Sequence, residues 1–120
     1  MITGIGIDIT ELDRVEKHVD DDVFIRRVLT PEERECFSSL SRKRKVEFLA
    51  GRFSAKEAYA KARGTGIGAD VSFQDVTVLN DPEGRPFLKK TDIQNERVHL
   101  SITHTDRSAA AFCVIESLSC

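Results

Sequence analysis

The sequence predicts an α+β fold, with helices early in the chain and an antiparallel sheet formed mostly by its later part. Three observations carry this expectation. The chain opens on alternating β-branched and small residues, residues 42–63 hold a long helical apolar stripe, and the stretch beyond Gly68 reads as strand and turn. The arrangement that follows is an N-terminal strand and helices, with a long central helix packed on the antiparallel sheet.

In residues 2–9, Ile5, Ile7 and Ile9 share one face of a strand, while Gly4, Gly6 and Asp8 share the other. Glycines along one side of a strand mark close approach by another backbone or by a ligand. Asp8 lies on that uncrowded side, and the strand alone leaves both readings open. Leu12 and Val15 at helical spacing predict a helix over 11–18, with Thr10 as its N-cap. Asp20, Asp21 and Asp22 then interrupt the pattern before a short helical piece at 23–28. A stronger start signal follows. Thr30 can cap, Pro31 occupies the first helical position and Glu33 completes a capping box, so a helix should run to about Leu40.

The longest periodic segment, 42–63, places Val46, Leu49, Ala50, Phe53, Ala58 and Ala62 on one broad stripe, and Gly64 supplies the stop. At about 1.5 Å per residue this helix spans roughly 33 Å, enough to be the spine of a domain. Val76, Val78 and Leu79, the turn 81–84, and Pro86, Phe87 and Leu88 then read as a hairpin. Val98, Leu100 and Ile102 alternate with His99, Ser101 and Thr103, and 109–115 is a continuous apolar run suited to a buried strand. Residues 104–107 would turn the chain between those two strands.

With 120 residues, positions 1–120 read as one domain with a single modest core. The formal net charge of −2 excludes a chain that binds polyanions as a whole, so any basic site must be local and nucleic acid is not an expected partner. Cys36, Cys113 and Cys120 are scattered, which predicts free thiols in a reducing compartment, with Cys36 and Cys113 as small core hydrophobes. No apolar run approaches a membrane span, and the first residues lack the basic flank of a signal sequence. A cytoplasmic location is therefore expected.

Candidate chemistry concentrates in the long helix. Arg52 and Lys56 are four apart, as are Phe53, Glu57 and Lys61, which makes two adjacent rows. Such rows form a solvated face with one Glu-to-Lys pair, worth about 0.2–0.5 kcal/mol, or else the wall of a site. Zinc is set aside, because His18, His99 and His104 are dispersed and no Cys/His ligand spacing occurs. Hard carboxylates suit magnesium better. The glycine-rich run 64–68 follows a helix instead of opening one and lacks the Lys-Ser/Thr of a phosphate loop, so it reads as a helix stop and turn. There is neither a Gly-x-Ser-x-Gly elbow nor a catalytic cysteine context. Residue patterns thus support an α+β domain whose acidic residues could hold a metal, but two carboxylates far apart in sequence do not by themselves define a site, and the patterns name no substrate.

Two blocks, Gly4-Ile5-Gly6-Ile7-Asp8-Ile9 and Phe48-Leu49-Ala50-Gly51-Arg52-Phe53-Ser54-Ala55-Lys56-Glu57-Ala58, together resemble the holo-acyl-carrier-protein synthases. These are the short bacterial type of 4'-phosphopantetheinyl transferase. The similarity continues through Gly64-Thr65-Gly66-Ile67-Gly68, Ser72-Phe73-Gln74-Asp75-Val76 and Ser101-Ile102-Thr103-His104-Thr105. It covers nearly the whole chain in the same order and spacing.

The resemblance implies a 4'-phosphopantetheinyl transferase-like fold. It also implies magnesium-dependent transfer of the phosphopantetheine arm from coenzyme A to a serine of apo acyl carrier protein, in fatty acid biosynthesis. The products would be holo acyl carrier protein and adenosine 3',5'-bisphosphate. The match puts the metal on Asp8 and Glu57 and a catalytic lysine, Lys61, beside the pyrophosphate, where it would stabilise the transition-state oxygens or accept the serine proton, with a metal-bound water as the rival base. Arg52 and His104 would meet the 3'-phosphate and adenosine side, and Phe48 and the turn starting at Gly64 would line the cofactor cleft. For His104 a plain turn histidine is the other reading. The family implies a homotrimer with active sites at subunit junctions, and Arg14 and Arg27 facing the acidic carrier. Asp20, Asp21 and Asp22 depart from it, because that stretch is often basic. Two rival functions remain, a non-catalytic coenzyme A- or carrier-binding module and a hydrolase of nucleotide pyrophosphates.

Overall fold

A computed structural model describes residues 1–89 and 94–119. Their order is β1 (Ile2–Glu11), α1 (Leu12–Glu16), α2 (Asp22–Val28), α3 (Pro31–Ser38), α4 (Arg42–Ala62), a 3-10 turn (Phe73–Asp75), β2 (Val78–Asn80), β3 (Pro86–Leu88), β4 (Glu96–His104) and β5 (Ser108–Ser117). β5 pairs antiparallel with β1 on one side and β4 on the other, while β2 and β3 form a separate hairpin. α4 packs on β1 and β5. The α+β architecture is the expected one, and among the described residues no helix is long and apolar enough to cross a membrane.

The glycine face of β1 meets the backbone of α4. A Cβ at Gly4 would lie 2.0 Å from the Ala62 carbonyl oxygen, and one at Gly6 only 1.8 Å from that of Ala58. The two spacings match. Two strand residues advance about 6.6 Å and four helical residues about 6 Å. Glycine every second residue on the strand can therefore face alanine every fourth residue on a helix running the other way. The opposite face of β1 is bare, with Ile5, Ile7 and Ile9 at 61%, 64% and 70% exposure.

Burial also decides the fate of α4's charges. Lys56 is fully enclosed, and its ammonium donates to Glu33 (2.6 Å) and to the carbonyls of Val28 (2.6 Å) and Phe73 (3.0 Å). Glu33 accepts in addition from the N–H groups of Thr30 (2.8 Å) and Val78 (2.7 Å). The capping glutamate of α3 is thus the buried counter-ion of α4. Every acceptor and donor at this junction is used, as a low-dielectric interior requires. At the far end of α4, Arg63 grips Glu96 of β4 through two bonds of 2.9 and 2.6 Å.

Several expectations need correction. Arg52 and Lys56 are buried instead of forming a solvated row, because their side of α4 turns toward α3 and β2. Thr10 does not cap α1. β1 stays paired through Glu11, opposite Ser108, and the Leu12 N–H goes to the Arg107 carbonyl (2.8 Å), so the turn before β5 takes the place of a cap. The aspartate run begins a helix, since Asp21 accepts from the N–H groups of Val23 and Phe24, whereas α1 has already ended at Glu16. Cys36 is exposed, because α3 buries Glu33 and Phe37 instead. Cys113 is buried as expected, and desolvation pushes its thiol up to about 11. Cys120 lies outside the described residues. β5 buries Ala109, Ala111, Cys113 and Ile115 but leaves Phe112 at 43% exposure, so it alternates and is not covered on both faces. The first hairpin strand starts at Val78, after Val76.

Gly6→Ala is expected to cost about 3 kcal/mol, the upper part of the range for overpacking, because the new methyl meets the α4 backbone at both Ala58 and Ala62. Gly68→Ala, where a Cβ meets nothing within 4 Å, is the control. Thermal unfolding reads both, and an unchanged melting temperature for Gly6→Ala would show that α4 does not approach β1 this closely.

Candidate active site

Beyond Gly6 the glycine face of β1 continues with Asp8 and Thr10, and here the contact with α4 opens into a cleft of about 360 Å³. Asp8 and Glu57 line it together, joining two residues 49 positions apart in sequence. Arg14 and Val15 of α1, His18, Phe24 of α2 and Phe53 of α4 complete the wall. The aromatic side is layered. His18 stacks on Phe24 with centroids 4.4 Å apart, Phe24 lies 6.3 Å from Phe53, and Phe53 lies 5.3 Å from Phe73 beneath the cleft.

Lys61 joins the carboxylates, its ammonium 3.2 Å from Asp8 Oδ1 and 3.1 Å from the Ile7 carbonyl. Asp8 Oδ2 accepts from the Thr10 hydroxyl at 3.3 Å. Burial first, and then the charge of Asp8, raise the Glu57 carboxyl above its ordinary value, with Lys61 opposing. Two carboxylates therefore crowd one cleft while a single ammonium serves one of them. No group of three His, Cys, Asp or Glu side chains suited to a metal occurs among the described residues. The donor set suits a hard divalent cation that takes its other ligands from water and phosphate oxygens, and the crowding is the charge such an ion relieves.

The remaining predicted residues divide. Gly64 follows the end of α4 three residues after Lys61, at φ 84°, a conformation that favours glycine. Phe48 and Arg52 lie about 180° and 140° around α4 from Glu57. The Arg52 guanidinium covers the Phe48 ring at 4.1 Å and bonds the Val78 carbonyl (3.3 Å) and Asn80 Oδ1 (3.4 Å). Burial holds its pKa below the ordinary arginine value. His104, at the end of β4, lies 3.8 Å from Glu47, a residue about 15 Å along α4 from Glu57. In one chain these groups are not brought into the Asp8–Glu57 cleft.

The aspartate run is engaged within the chain. Asp20 binds Arg42 (2.6 Å), Asp22 binds Arg26 (2.8 Å), and Asp21 caps α2 with His18 at 3.5 Å. Arg14 and Arg27 are exposed and have no carboxylate partner among the described residues, and Arg27 lies 6.0 Å over the Phe73 ring. Sequence reasoning missed Thr10, His18 and Phe24 as cleft residues. Strand period two from Asp8 would have found Thr10, whereas no local pattern brings α2 to this wall.

The model of the 4'-phosphopantetheinyl transferase superfamily matches residues 4–114. A holo-[acyl-carrier-protein] synthase of a Geobacillus species is 54% identical over 120 residues, covering 99% of this chain and 100% of that protein. Among solved structures, a holo-(acyl-carrier-protein) synthase from Bacillus anthracis, in complex with CoA (3',5'-ADP), superimposes with a TM-score of 0.91 at 53% identity and 98% coverage of both chains. The holo-[acyl-carrier-protein] synthase of Neisseria meningitidis follows with a TM-score of 0.87 and 37% identity, covering 98% of this chain and 100% of its own.

Because the folded state holds the Glu57 proton more tightly than the unfolded chain does, ionising this group opposes folding. The penalty is absent below the ordinary glutamate value of 4.5, grows as the pH rises, and is complete above the folded value. Glu57→Gln is therefore expected to raise the melting temperature of the metal-free protein at neutral pH, with the gain fading below pH 4.5. Calorimetry across that range tests it, and an unchanged or lower melting temperature at neutral pH contradicts the charge crowding.

Proposed function

The chain belongs to the 4'-phosphopantetheinyl transferase superfamily, and from that premise we propose that it is a holo-acyl-carrier-protein synthase. It transfers 4'-phosphopantetheine from coenzyme A to a serine hydroxyl of apo acyl carrier protein. The serine oxygen forms a bond to the phosphorus on the pantetheine side, and the serine proton passes to solvent. The bond from that phosphorus to the bridging oxygen breaks, so that this oxygen leaves with the adenosine-side phosphate. Holo carrier and adenosine 3',5'-bisphosphate are the products. The observation that carries this reading is the meeting of Asp8 and Glu57 at one cleft, with Lys61 bonded to Asp8, in a chain that matches such synthases along its length.

Asp8 and Glu57 are the magnesium ligands in this reading. The ion, when bound, supplies charge neutralisation at the pyrophosphate. Lys61 already donates to two acceptors and has three hydrogens, so one remains for a phosphate oxygen. That geometry favours a role in stabilising negative charge on the substrate over one in removing the serine proton. Arg14, which lines the cleft and has no carboxylate partner among the described residues, faces the acidic carrier together with Arg27. Asp20, Asp21 and Asp22 are engaged by Arg42, His18 and Arg26 instead of by those arginines.

The assembly is a homotrimer in the cytoplasm. Two features support self-association. Ile5, Ile7 and Ile9 with Phe112, which pairs Ile7 across the sheet, form an uncovered apolar face. Phe48, Arg52 and His104 lie apart from the Asp8–Glu57 cleft of their own chain, so a site using both sets takes them from neighbouring subunits.

Incubation with coenzyme A, magnesium and apo carrier protein is expected to add a phosphopantetheine mass to the carrier. An unchanged carrier would leave a binding module, and coenzyme A cleavage without a carrier would indicate a hydrolase. Asp8→Ala and Glu57→Ala should each lose at least about a hundredfold in transfer, the scale of removing one electrostatic group. Arg14→Glu should raise KM for the carrier while sparing coenzyme A, and equal damage to both places Arg14 elsewhere. Light scattering should return three times the chain mass, and a monomer that is fully active would refute the shared site.

A further inference from the structure

Beside Asp8 stands a pair of hydroxyls to which the transfer reaction assigns no part. Thr10 is two residues from Asp8 on the same strand face, so both side chains point toward α4. Its Oγ1 lies 3.3 Å from Asp8 Oδ2 and 2.6 Å from Ser54 Oγ. Ser54 is fully buried on α4.

Counting hydrogens gives the pair a direction. A carboxylate accepts and cannot donate, and a threonine hydroxyl has one hydrogen. That hydrogen goes to Asp8, so the proton between the two hydroxyls belongs to Ser54. The chain of bonds runs from Ser54 to Thr10 to Asp8. Ser54 has no other hydrogen-bond partner among the described residues, and a buried hydroxyl without one is costly. Its need for an acceptor holds the Thr10 hydroxyl in place. Thr10 resists rotation as well, because its side chain is β-branched.

The other oxygen of Asp8 is engaged by Lys61 at 3.2 Å. The two carboxylate oxygens are thus distinguished, one by an ammonium and one by a hydroxyl anchored in the core. We propose that Ser54 and Thr10 act in series as positioning residues for the Asp8 carboxylate, fixing its orientation toward a divalent cation in the cleft. Partners of this kind hold a ligand in its binding orientation before the ion arrives. The inference rests on the reading of Asp8 as a metal ligand.

Manganese, titrated into the purified protein and followed by the resonance signal of the free ion, tests the proposal without turnover. Asp8→Ala is expected to abolish binding. Thr10→Val, which keeps the shape and removes the donor, should weaken it about tenfold, the lower end for loss of an outer-shell partner. Thr10→Ser should restore wild-type affinity, and Ser54→Ala should weaken binding in the same direction. Melting curves accompany each variant. If Thr10→Val does not fold, Ser54→Ala decides. Wild-type affinity in the folded hydroxyl variants, with binding lost in Asp8→Ala, overturns the inference and leaves the metal reading intact. Wild-type affinity in Asp8→Ala removes the metal reading and the inference with it.

Discussion

Two glycines let a helix backbone rest directly on a strand. At Gly6 the Ala58 carbonyl oxygen occupies the space a methyl group would need, and at Gly4 the Ala62 carbonyl does the same. The consequence is positional. With the axes of α4 and β1 this close, the short side chain of Asp8 shares a cleft with Glu57, and the Lys61 ammonium bonds the strand at Ile7 and Asp8. A wider gap would separate the carboxylates and leave Lys61 to solvent. The site is a property of that contact before it is a property of its residues.

Neighbouring charges on α4 meet opposite fates because one residue turns the helix by about 100°. Lys56 points into the junction of α2, α3 and β2 and is spent on Glu33 and two carbonyls. Glu57 points into the cleft, where burial and Asp8 make its charge unfavourable. The first arrangement is satisfied and therefore rigid. The second is unsatisfied without a cation, and stability is given up at the place where a ligand can restore it.

The same division appears around the helix. The side that carries Glu57 and Lys61 opens on an aromatic wall of His18, Phe24 and Phe53, with Phe73 behind. Arg52 and Phe48 are stacked on each other on another side, toward β2, and His104 stands beside Glu47 at the end of β4. These groups and the bare isoleucine face of β1 are the surfaces that the proposed homotrimer would complete.

Much of this was legible in the residues. The strand and helix periods, Pro31 and Gly64, and the alternation of Gly4, Gly6 and Asp8 are local signals, and local signals survive in a string of letters because they depend on backbone geometry alone. The motif blocks around Asp8 and Glu57 identified the family for the same reason, as order and spacing persist without a structure. Only the tertiary structure decided that Lys56 is buried while Lys61 is exposed, that Thr10 serves Asp8 instead of capping α1, and that Cys36 faces solvent. It also decided that α2 supplies part of the cleft wall and that Asp20, Asp21 and Asp22 find their partners within the chain. Each of these depends on what comes to lie opposite a residue from a distant part of the chain, and periodicity tells which way a side chain points without telling what it meets.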